Sequence, residues 1–97
     1  MILSFYDQGT EDIFNRKSSK AARKQCPETI WRVAQRKLDQ LNAAVSLASL
    51  AIPPGNRLEA LGRERRGRHS IRINEQYRIS FKWADKGAEG VDIVDYH

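Results

Sequence analysis

The sequence has one cysteine and no long apolar run. The lone Cys26 excludes an internal disulfide, and it leaves no second thiolate for a cysteine-based metal site. No stretch approaches the ~18 uninterrupted apolar residues that a membrane-spanning helix requires. The opening segment MILSFYDQGTEDIF lacks the charged start, apolar centre and small-residue cleavage site of a secretory signal. We therefore expect a protein of the reducing cytoplasm that makes no contact with a membrane.

Common catalytic and metal-binding motifs are missing as well. The chain has no Walker loop, no HExxH, no CxxC and no serine nucleophile elbow. Its two histidines, His69 and His97, have no spacing from nearby acids that favours a particular metal site. The sequence therefore predicts no metal and no cofactor, so that any chemistry has to come from side chains.

Acidic residues are scarce relative to basic ones. Among 97 residues, 17 are Lys or Arg and 12 are Asp or Glu, which gives a formal net charge of +5. The basic residues concentrate in two segments, 16–24 and 57–72, which could form one surface in the fold. An excess of positive charge is typical of proteins that bind a polyanion or an acidic partner, although a well-solvated surface has the same composition. We expect one domain over residues 1–97.

Hydrophobic periodicity predicts helices in the first half of the chain. The segment MILSFY suits a strand, Thr10 is the expected N-cap of a short helix, and KSSKAARK is typical of a solvated basic loop. Pro27 suits the first position of a longer helix. In that helix, apolar side chains at steps of three and four predict a buried stripe, with Trp31 packed beside it. The stripe consists of Ile30, Ala34, Leu38, Leu41 and Val45.

The second half of the chain predicts a sheet. Pro53, Pro54 and Gly55 end the helical region. After them, RLEAL can begin a sheet that RHSIRI, YRISFKW and GVDIVDY continue with a period near two, and ADKGAEG supplies the last turn. Helices followed by strands with short turns indicate an α+β fold, in which N-terminal helices pack on one face of an antiparallel sheet.

The hairpin of RHSIRI and YRISFKW favours one register. Cross-strand neighbours point to the same side of a sheet, so the apolar residues of both strands have to pair with each other. A three-residue loop, 74–76, pairs Ile73 with Tyr77 and Ile71 with Ile79, whereas a two-residue loop breaks this pattern. We therefore expect the odd-length loop.

The same register places two arginines, Arg72 and Arg78, opposite each other on the other side of the hairpin. Directly opposed like charges destabilise a sheet by up to ~1 kcal/mol. A phosphate held between the two guanidinium groups would offset the repulsion. The alternatives are that the side chains splay into water, or that they pair with Asp92 or Glu59.

The last strand leads into an acid, a phenol and an imidazole, Asp95, Tyr96 and His97. We expect the strand to anchor them near the side of the sheet that bears Arg72 and Arg78. An imidazole pKa of about 6.5 suits proton transfer near neutrality, and a nearby carboxylate favours the imidazolium. This group suits RNA cleavage by its own 2′-hydroxyl, with a base, an acid and an arginine that stabilises the phosphorane. The alternative is a solvated histidine.

Three segments together resemble a known family. PPGNRLEAL, GRHSIRINEQYRISFKW and VDIVDYH are similar to the HigB branch of the RelE superfamily, the toxins of bacterial type II toxin–antitoxin systems. The resemblance extends over nearly the whole chain. It implies a RelE-like fold and a ribosome-dependent mRNA endonuclease of the bacterial cytoplasm. It also implies a HigA-like antitoxin with a helix-turn-helix domain as partner, and contact with operator DNA only as a toxin–antitoxin complex that represses its own operon.

The resemblance further implies which residues carry out the reaction. His97 is the expected acid–base residue, and Arg78 is the expected transition-state stabiliser. Asp95 and Tyr96 are expected to orient the other groups. The substrate is a message in the ribosomal A site, so the partners include the ribosome and mRNA.

At one place the sequence departs from that family. Well-known members carry a histidine and a lysine in the region that matches LEALG, where this chain has Glu59 and Gly62. A glutamate cannot supply positive charge but can act as a base, so Glu59 joins the candidate catalytic residues. Two other interpretations stay open, a gyrase-targeting toxin of the ParE type and a non-catalytic RNA-binding module. The residues expected to contact ribosomal and messenger RNA are Lys20, Arg23, Lys24, Arg57, Arg63, Arg65, Arg66, Arg68 and Arg72.

Overall fold

The computed structural model describes residues 1–96 and has an α+β architecture, as predicted. Its α-helices are α1 (Gln8–Phe14), α2 (Lys20–Gln25) and α3 (Trp31–Ala43). Its strands are β1 (Glu59–Ala60), β2 (His69–Arg72), β3 (Tyr77–Ala84) and β4 (Gly87–Asp95). They form an antiparallel sheet in the order β1-β2-β3-β4. Short 3₁₀ helices lie at Glu28–Ile30, Ala48–Ala51, Pro54–Asn56 and Arg63–Arg65.

Helix α1 begins earlier than predicted, and Thr10 is not its cap. Asp7 is the N-cap, and its Oδ1 accepts a hydrogen bond from the backbone N–H of Thr10 at 2.8 Å. The side chain of Thr10 is buried, and its Oγ1 accepts from the backbone N–H of Ile93 at 3.0 Å. The residue chosen as a cap therefore joins α1 to β4 instead.

Helix α2 occupies part of the segment that was expected to be a solvated loop, so that expectation was wrong. Ser19 caps it, because its Oγ accepts from the N–H of Ala22 at 3.0 Å. The same hydroxyl donates to Asp12 Oδ2 of α1 at 2.6 Å. Ala22 is fully buried in the core. Burial of this small side chain and the cap stabilise a helix that its basic composition concealed.

Helix α3 carries the predicted stripe through its centre. Ala34, Leu38 and Leu41 are fully buried, and Trp31 packs partly against the core while its Nε1 donates to the Cys26 carbonyl at 3.0 Å. Val45 is 92% exposed, because the helix ends at Ala43 before the stripe reaches it, and its assignment to the stripe was wrong. Within residues 1–96, no helix has the length and apolar character needed to cross a membrane.

The N-terminal segment forms isolated bridges rather than the expected strand. Ile2 and Phe5 bridge in parallel to Ala88 and Val91 of β4, with four backbone hydrogen bonds of 2.7–3.1 Å between the two segments. The edge of β4 is thereby covered, which limits its pairing with other chains. β4 itself begins at Gly87, so the turn before it is shorter than ADKGAEG predicted.

The sheet separates an apolar face from a polar one. The predicted hairpin register is confirmed, since Ile71 pairs with Ile79 and Arg72 with Arg78. The apolar face packs against the buried sides of α1 and α3 in one core. The opposite side, called the polar face below, carries Ser70, Arg72, Arg78, Ser80 and Asp92.

Candidate active site

Arg78 lies in the polar face with its guanidinium held in a fixed orientation. The side chain is buried, and its Nε donates to Ser70 Oγ at 2.7 Å. Its Nη2 donates to the carbonyl oxygen of Arg57 at 2.6 Å and to that of Ser70 at 3.3 Å. Among the described residues, Nη1 makes no hydrogen bond. A guanidinium oriented in this way keeps a donor for an anion, and its position is set before the anion arrives.

Two further predicted site residues surround this guanidinium. Glu59 Oε1 lies 3.7 Å from Arg78 Nε, and the Glu59 side chain is about half exposed. The ring centroid of Tyr96 lies 5.7 Å from Arg78 Cζ, which is within the range of a cation–π contact. The backbone N–H of Tyr96 donates to the Gln76 carbonyl at 2.6 Å, so the residue is anchored to the hairpin loop. Of the two carboxylates proposed to offset the paired arginines, the structure brings Glu59 to Arg78.

An open pocket of about 440 Å³ lies over these groups. Its size falls within the range of small-ligand sites, and it combines three arginines with two glutamates and an aromatic ring. The positive charge suits a phosphate, and the glutamates supply acceptors for protons. Its lining residues are Arg57, Glu59, Arg72, Asn74, Glu75, Arg78 and Tyr96.

Asp95 lies on the other side of the strand from this pocket. It pairs with Tyr77 in the sheet, whereas Arg78 pairs with Val94. Because neighbours on adjacent strands share a face, Asp95 belongs to the row of Tyr77. Its Oδ2 accepts from Gln76 Nε2 at 3.1 Å. Burial raises the pKa of Tyr77, and the charge of Asp95 adds to that effect.

His97, the expected acid–base residue, lies outside the described residues. Tyr96, which precedes it, is 47% exposed and lies beside the pocket.

A second group of arginines is engaged with a buried carboxylate. Arg68 Nη2 donates to Asp92 Oδ1 at 3.2 Å and to the Gly90 carbonyl at 2.6 Å, and its Nε donates to Ser80 Oγ at 2.9 Å. Arg65 Nη1 donates to the same hydroxyl at 3.1 Å. The Asp92 side chain is only 6% exposed; burial raises its pKa, while the two arginines act in the opposite direction. Arg65 and Arg68 therefore hold the 61–68 loop to the polar face.

The remaining predicted RNA contacts lie in two different layers. Arg63 lines a second pocket of about 400 Å³ that shares Tyr96 with the first, and Arg66 is exposed at the end of the same 3₁₀ turn. The basic residues of α2 belong to the helical layer, because α2 packs on α1 and contributes Ala22 to the core. They are Lys20, Arg23 and Lys24.

Ser70 and the Arg57 carbonyl were not among the residues predicted from sequence. Ser70 is buried and pairs with Ser80 across β2 and β3. This pair lies on the same face as the Arg72–Arg78 pair and is its neighbour on that face. Arg57 has a left-handed backbone conformation with φ of 45°, which is uncommon for a residue with a side chain. A small hydroxyl residue two positions before Arg72, on the arginine-bearing side of β2, was a visible signal for Ser70, but a backbone carbonyl leaves no signal in a sequence.

Among residues 1–96, no group of three His, Cys, Asp or Glu side chains is placed to hold a metal ion.

Comparison with known proteins identifies the family. The sequence model of the family described as "RelE-like toxin of type II toxin-antitoxin system HigB" matches residues 3–97. The chain belongs to the HigB-like toxins. It is 39% identical to Toxin HigB-1 of Vibrio cholerae over 85 residues, which cover 88% of this chain and 86% of that protein. It is also 39% identical to an uncharacterised protein of Haemophilus influenzae over 57 residues, or 59% of this chain and 56% of that one.

The fold of this HigB-like chain has a solved counterpart. A structure described as the YoeB-YefM complex from Staphylococcus aureus superimposes with a TM-score of 0.60. The match covers 100% of this chain and 98% of the other at 14% sequence identity. At that identity the likeness concerns the fold alone, and it agrees with the RelE-like architecture expected from the sequence.

Proposed function

We propose that this HigB-like toxin is a ribosome-dependent mRNA endonuclease that inhibits translation. The observation that carries the proposal is the buried Arg78, held by Ser70 and the Arg57 carbonyl on the floor of an arginine-lined pocket. Fixed donors aimed at a developing negative charge are a large source of catalysis in phosphate chemistry. The pocket is open, which fits a substrate presented by a larger particle.

The proposed reaction uses the 2′-hydroxyl of the message as nucleophile. A base removes its proton, the oxygen attacks the adjacent phosphorus, and an acid protonates the departing 5′-oxygen. Arg78 stabilises the charge on the phosphorane. In this proposal His97 is the acid–base residue, and Glu59, which lies in the pocket, is the candidate second proton carrier. Tyr96 orients Arg78 through the contact of its ring.

The proposed role of Asp95 is indirect. Its bond to Gln76, whose carbonyl holds the backbone of Tyr96, connects it to the loop that positions Tyr96.

The proposed partners follow from the family. A HigA-like antitoxin with a helix-turn-helix domain neutralises the toxin, and the complex binds operator DNA and represses its own operon. Membership of the HigB-like toxin family and the likeness to Toxin HigB-1 support this proposal. We place the toxin, as one domain, in the bacterial cytoplasm, where its ribosomal target lies.

The first test is induction in bacteria of wild type, His97→Gln and Arg78→Ala, with growth measured and mRNA 5′ ends mapped. Asp39→Ala, an exposed α3 position paired with Arg16, serves as control. We expect wild type and the control to arrest growth and to produce new 5′ ends at codon-phased positions. Both site variants should produce neither.

Other outcomes distinguish the alternatives. Growth arrest without new mRNA ends would contradict the nuclease and point to a protein target such as gyrase. Binding to ribosomes with strong salt dependence but without cleavage would instead identify a non-catalytic RNA-binding module.

A further inference from the structure

Asn56 is a buried polar residue that the proposed reaction does not use directly. Its side chain is fully buried, and every polar atom of it is bonded. The Oδ1 accepts a hydrogen bond from Lys37 Nζ of α3. The Nδ2 donates to Gln40 Oε1, also of α3, at 3.1 Å and to the Leu50 carbonyl at 3.0 Å. A buried amide with all its bonds made fixes the backbone that carries it.

The bond from Lys37 places a cation in a buried site. The Lys37 side chain is mostly buried, and among the described residues no carboxylate forms an ion pair with it. Burial lowers the pKa of Lys37, and the nearby Arg36 and Arg72 lower it further. Burying an ammonium group is unfavourable unless its hydrogen bonds are made. The hydrogen bond to Asn56 therefore offsets part of the cost of burying the Lys37 ammonium group.

Asn56 directly precedes the residue whose carbonyl holds Arg78. The Asn56 backbone N–H donates to the Pro53 carbonyl at 3.0 Å and closes the 3₁₀ turn. Arg57 then adopts φ 45° and ψ 56°, a left-handed conformation that directs its carbonyl oxygen to Arg78 Nη2. Such a conformation is strained for a residue with a side chain and persists only where neighbouring contacts enforce it. The Asn56 side chain, bonded to α3, anchors the residue directly before Arg57.

We propose that Asn56 is a positioning residue for Arg78. Lys37 and Gln40 hold its amide against α3, the amide holds the turn, and the Arg57 carbonyl at the end of the turn sets the angle of the guanidinium. The consequence of this inference rests on the proposed function: a residue outside the pocket determines the rate of RNA cleavage. Asn56 is not among the residues that line the pocket.

A double-mutant cycle of Asn56 and Arg78 measures the coupling between these two residues through the rate of mRNA cleavage. We expect Asn56→Ala to lower the maximal rate of ribosome-bound mRNA cleavage by about 10- to 100-fold, with KM changed by less than about twofold, because a small displacement of a catalytic group has that effect. In an Arg78→Lys background, where no guanidinium reaches the Arg57 carbonyl, Asn56→Ala should lower the remaining rate by less than about twofold. Lys37→Met, which keeps the aliphatic stem and removes the donor, is the milder second variant if Asn56→Ala does not fold.

The matched control is Ile13→Val, which removes one methylene from the core of α1 and touches none of these groups. It should lower the melting temperature without a selective fall in kcat at unchanged KM. Its effect should be the same with Arg78 and with Arg78→Lys. If Asn56→Ala behaves like Ile13→Val in these respects, Asn56 merely stabilises the fold and the proposal is wrong.

An NMR measurement tests the positioning without any cleavage assay. In wild type the Arg78 Nε–H, buried and bonded to Ser70 Oγ, should exchange slowly with solvent. Asn56→Ala and Lys37→Met should shift its resonance and accelerate its exchange by about tenfold or more, whereas Ile13→Val should not. If wild type cleaves no RNA, the proposed function fails while this comparison still gives an answer. An unchanged Nε–H signal in folded Asn56→Ala overturns the positioning role whether or not RNA is cleaved.

Discussion

At the scale of single residues, the pairing of Arg72 with Arg78 shows how a sheet tolerates opposed like charges. The two arginines do not share one environment. Arg78 is buried and bonded to Ser70 and to a carbonyl oxygen, and Glu59 lies 3.7 Å away, whereas Arg72 is only partly buried. The acceptors around Arg78 therefore reduce its repulsion with Arg72. The charge of Arg72 stays available at the pocket.

Ser70 offers a direct test of how Arg78 is held. Ser70→Ala leaves the buried Arg78 Nε–H without its acceptor, so we expect a loss of about 1.5–3 kcal/mol in the free energy of unfolding. We also expect a fall of about tenfold or more in the rate of mRNA cleavage. Urea unfolding and the ribosome cleavage assay measure the two effects.

Ser80→Ala is the matched control, because Ser80 pairs with Ser70 in the sheet and is equally buried. Its hydroxyl accepts from Arg65 and Arg68 rather than from Arg78. We expect it to lower stability without a comparable loss of cleavage. Equal losses of cleavage in the two variants would show that Ser70 has no special relation to Arg78.

At the scale of elements, α1 is joined to the sheet by a hydroxyl rather than by a helix cap. Thr10→Val keeps the shape of the side chain but removes the acceptor of the buried Ile93 N–H. We expect a loss of about 1–3 kcal/mol in the free energy of unfolding, which urea titration would measure. Thr10→Ser keeps the hydroxyl and should lose less; an equal loss would mean that the methyl group, and not the hydrogen bond, is what matters.

The contact between α1 and α2 predicts a pH dependence of stability. Hydrogen bonds from Ser19, and then from Gln8, hold the pKa of Asp12 below its ordinary value of 3.8. A lowered pKa in the folded state contributes stability that is fully present above pH 3.8 and disappears as the pH falls through the folded-state pKa. Wild type should therefore be more stable than Asp12→Asn at neutral pH, and the difference should shrink below pH 3.8. Thermal unfolding across this range would measure it, and a constant difference would contradict the assignment.

At the scale of the whole molecule, the two basic segments lie in different layers, which separates their expected roles. Arg63 and Arg66 lie in the loop beside the pockets, whereas Lys20 and Lys24 lie on α2 in the helical layer. We expect Arg63→Gln with Arg66→Gln to flatten the dependence of single-stranded RNA affinity on salt by about 1.4 in the log–log slope, since each phosphate contact contributes roughly 0.7.

Lys20→Gln with Lys24→Gln removes the same charge from the other layer and should leave that slope unchanged. Fluorescence anisotropy of labelled RNA at several salt concentrations measures both variants. If the two double variants flatten the slope equally, RNA responds to the net charge of the protein and not to the polar face.

Predictions from the sequence were correct where the period of the hydrophobic residues alone specifies the structure. Ile71 and Ile79 had to share the buried face, and this placed Arg72 opposite Arg78. The centre of the α3 stripe was predicted for the same reason, and its last member, Val45, was wrong because periodicity does not show where a helix ends.

Helix α2 was missed because its basic composition resembles that of a solvated loop, and Thr10 was wrongly taken as a cap because the bond of its hydroxyl depends on a partner distant in sequence. Ser19 bonds to Asp12 across the α1–α2 interface, and Thr10 bonds to Ile93, 83 residues along the chain. No window of sequence contains both partners of the second bond.

The sequence by itself determined the family, the α+β class and the register that opposes two arginines, because each depends on side-chain order along a few residues. Only the tertiary structure decided which arginine is buried, that Glu59 and Tyr96 surround it, and that Asp95 belongs to the other face. The physical reason is that the orientation of Arg78 depends on a backbone carbonyl in a left-handed turn, held by an amide bonded to α3. Such an arrangement exists only when segments distant in sequence have come together.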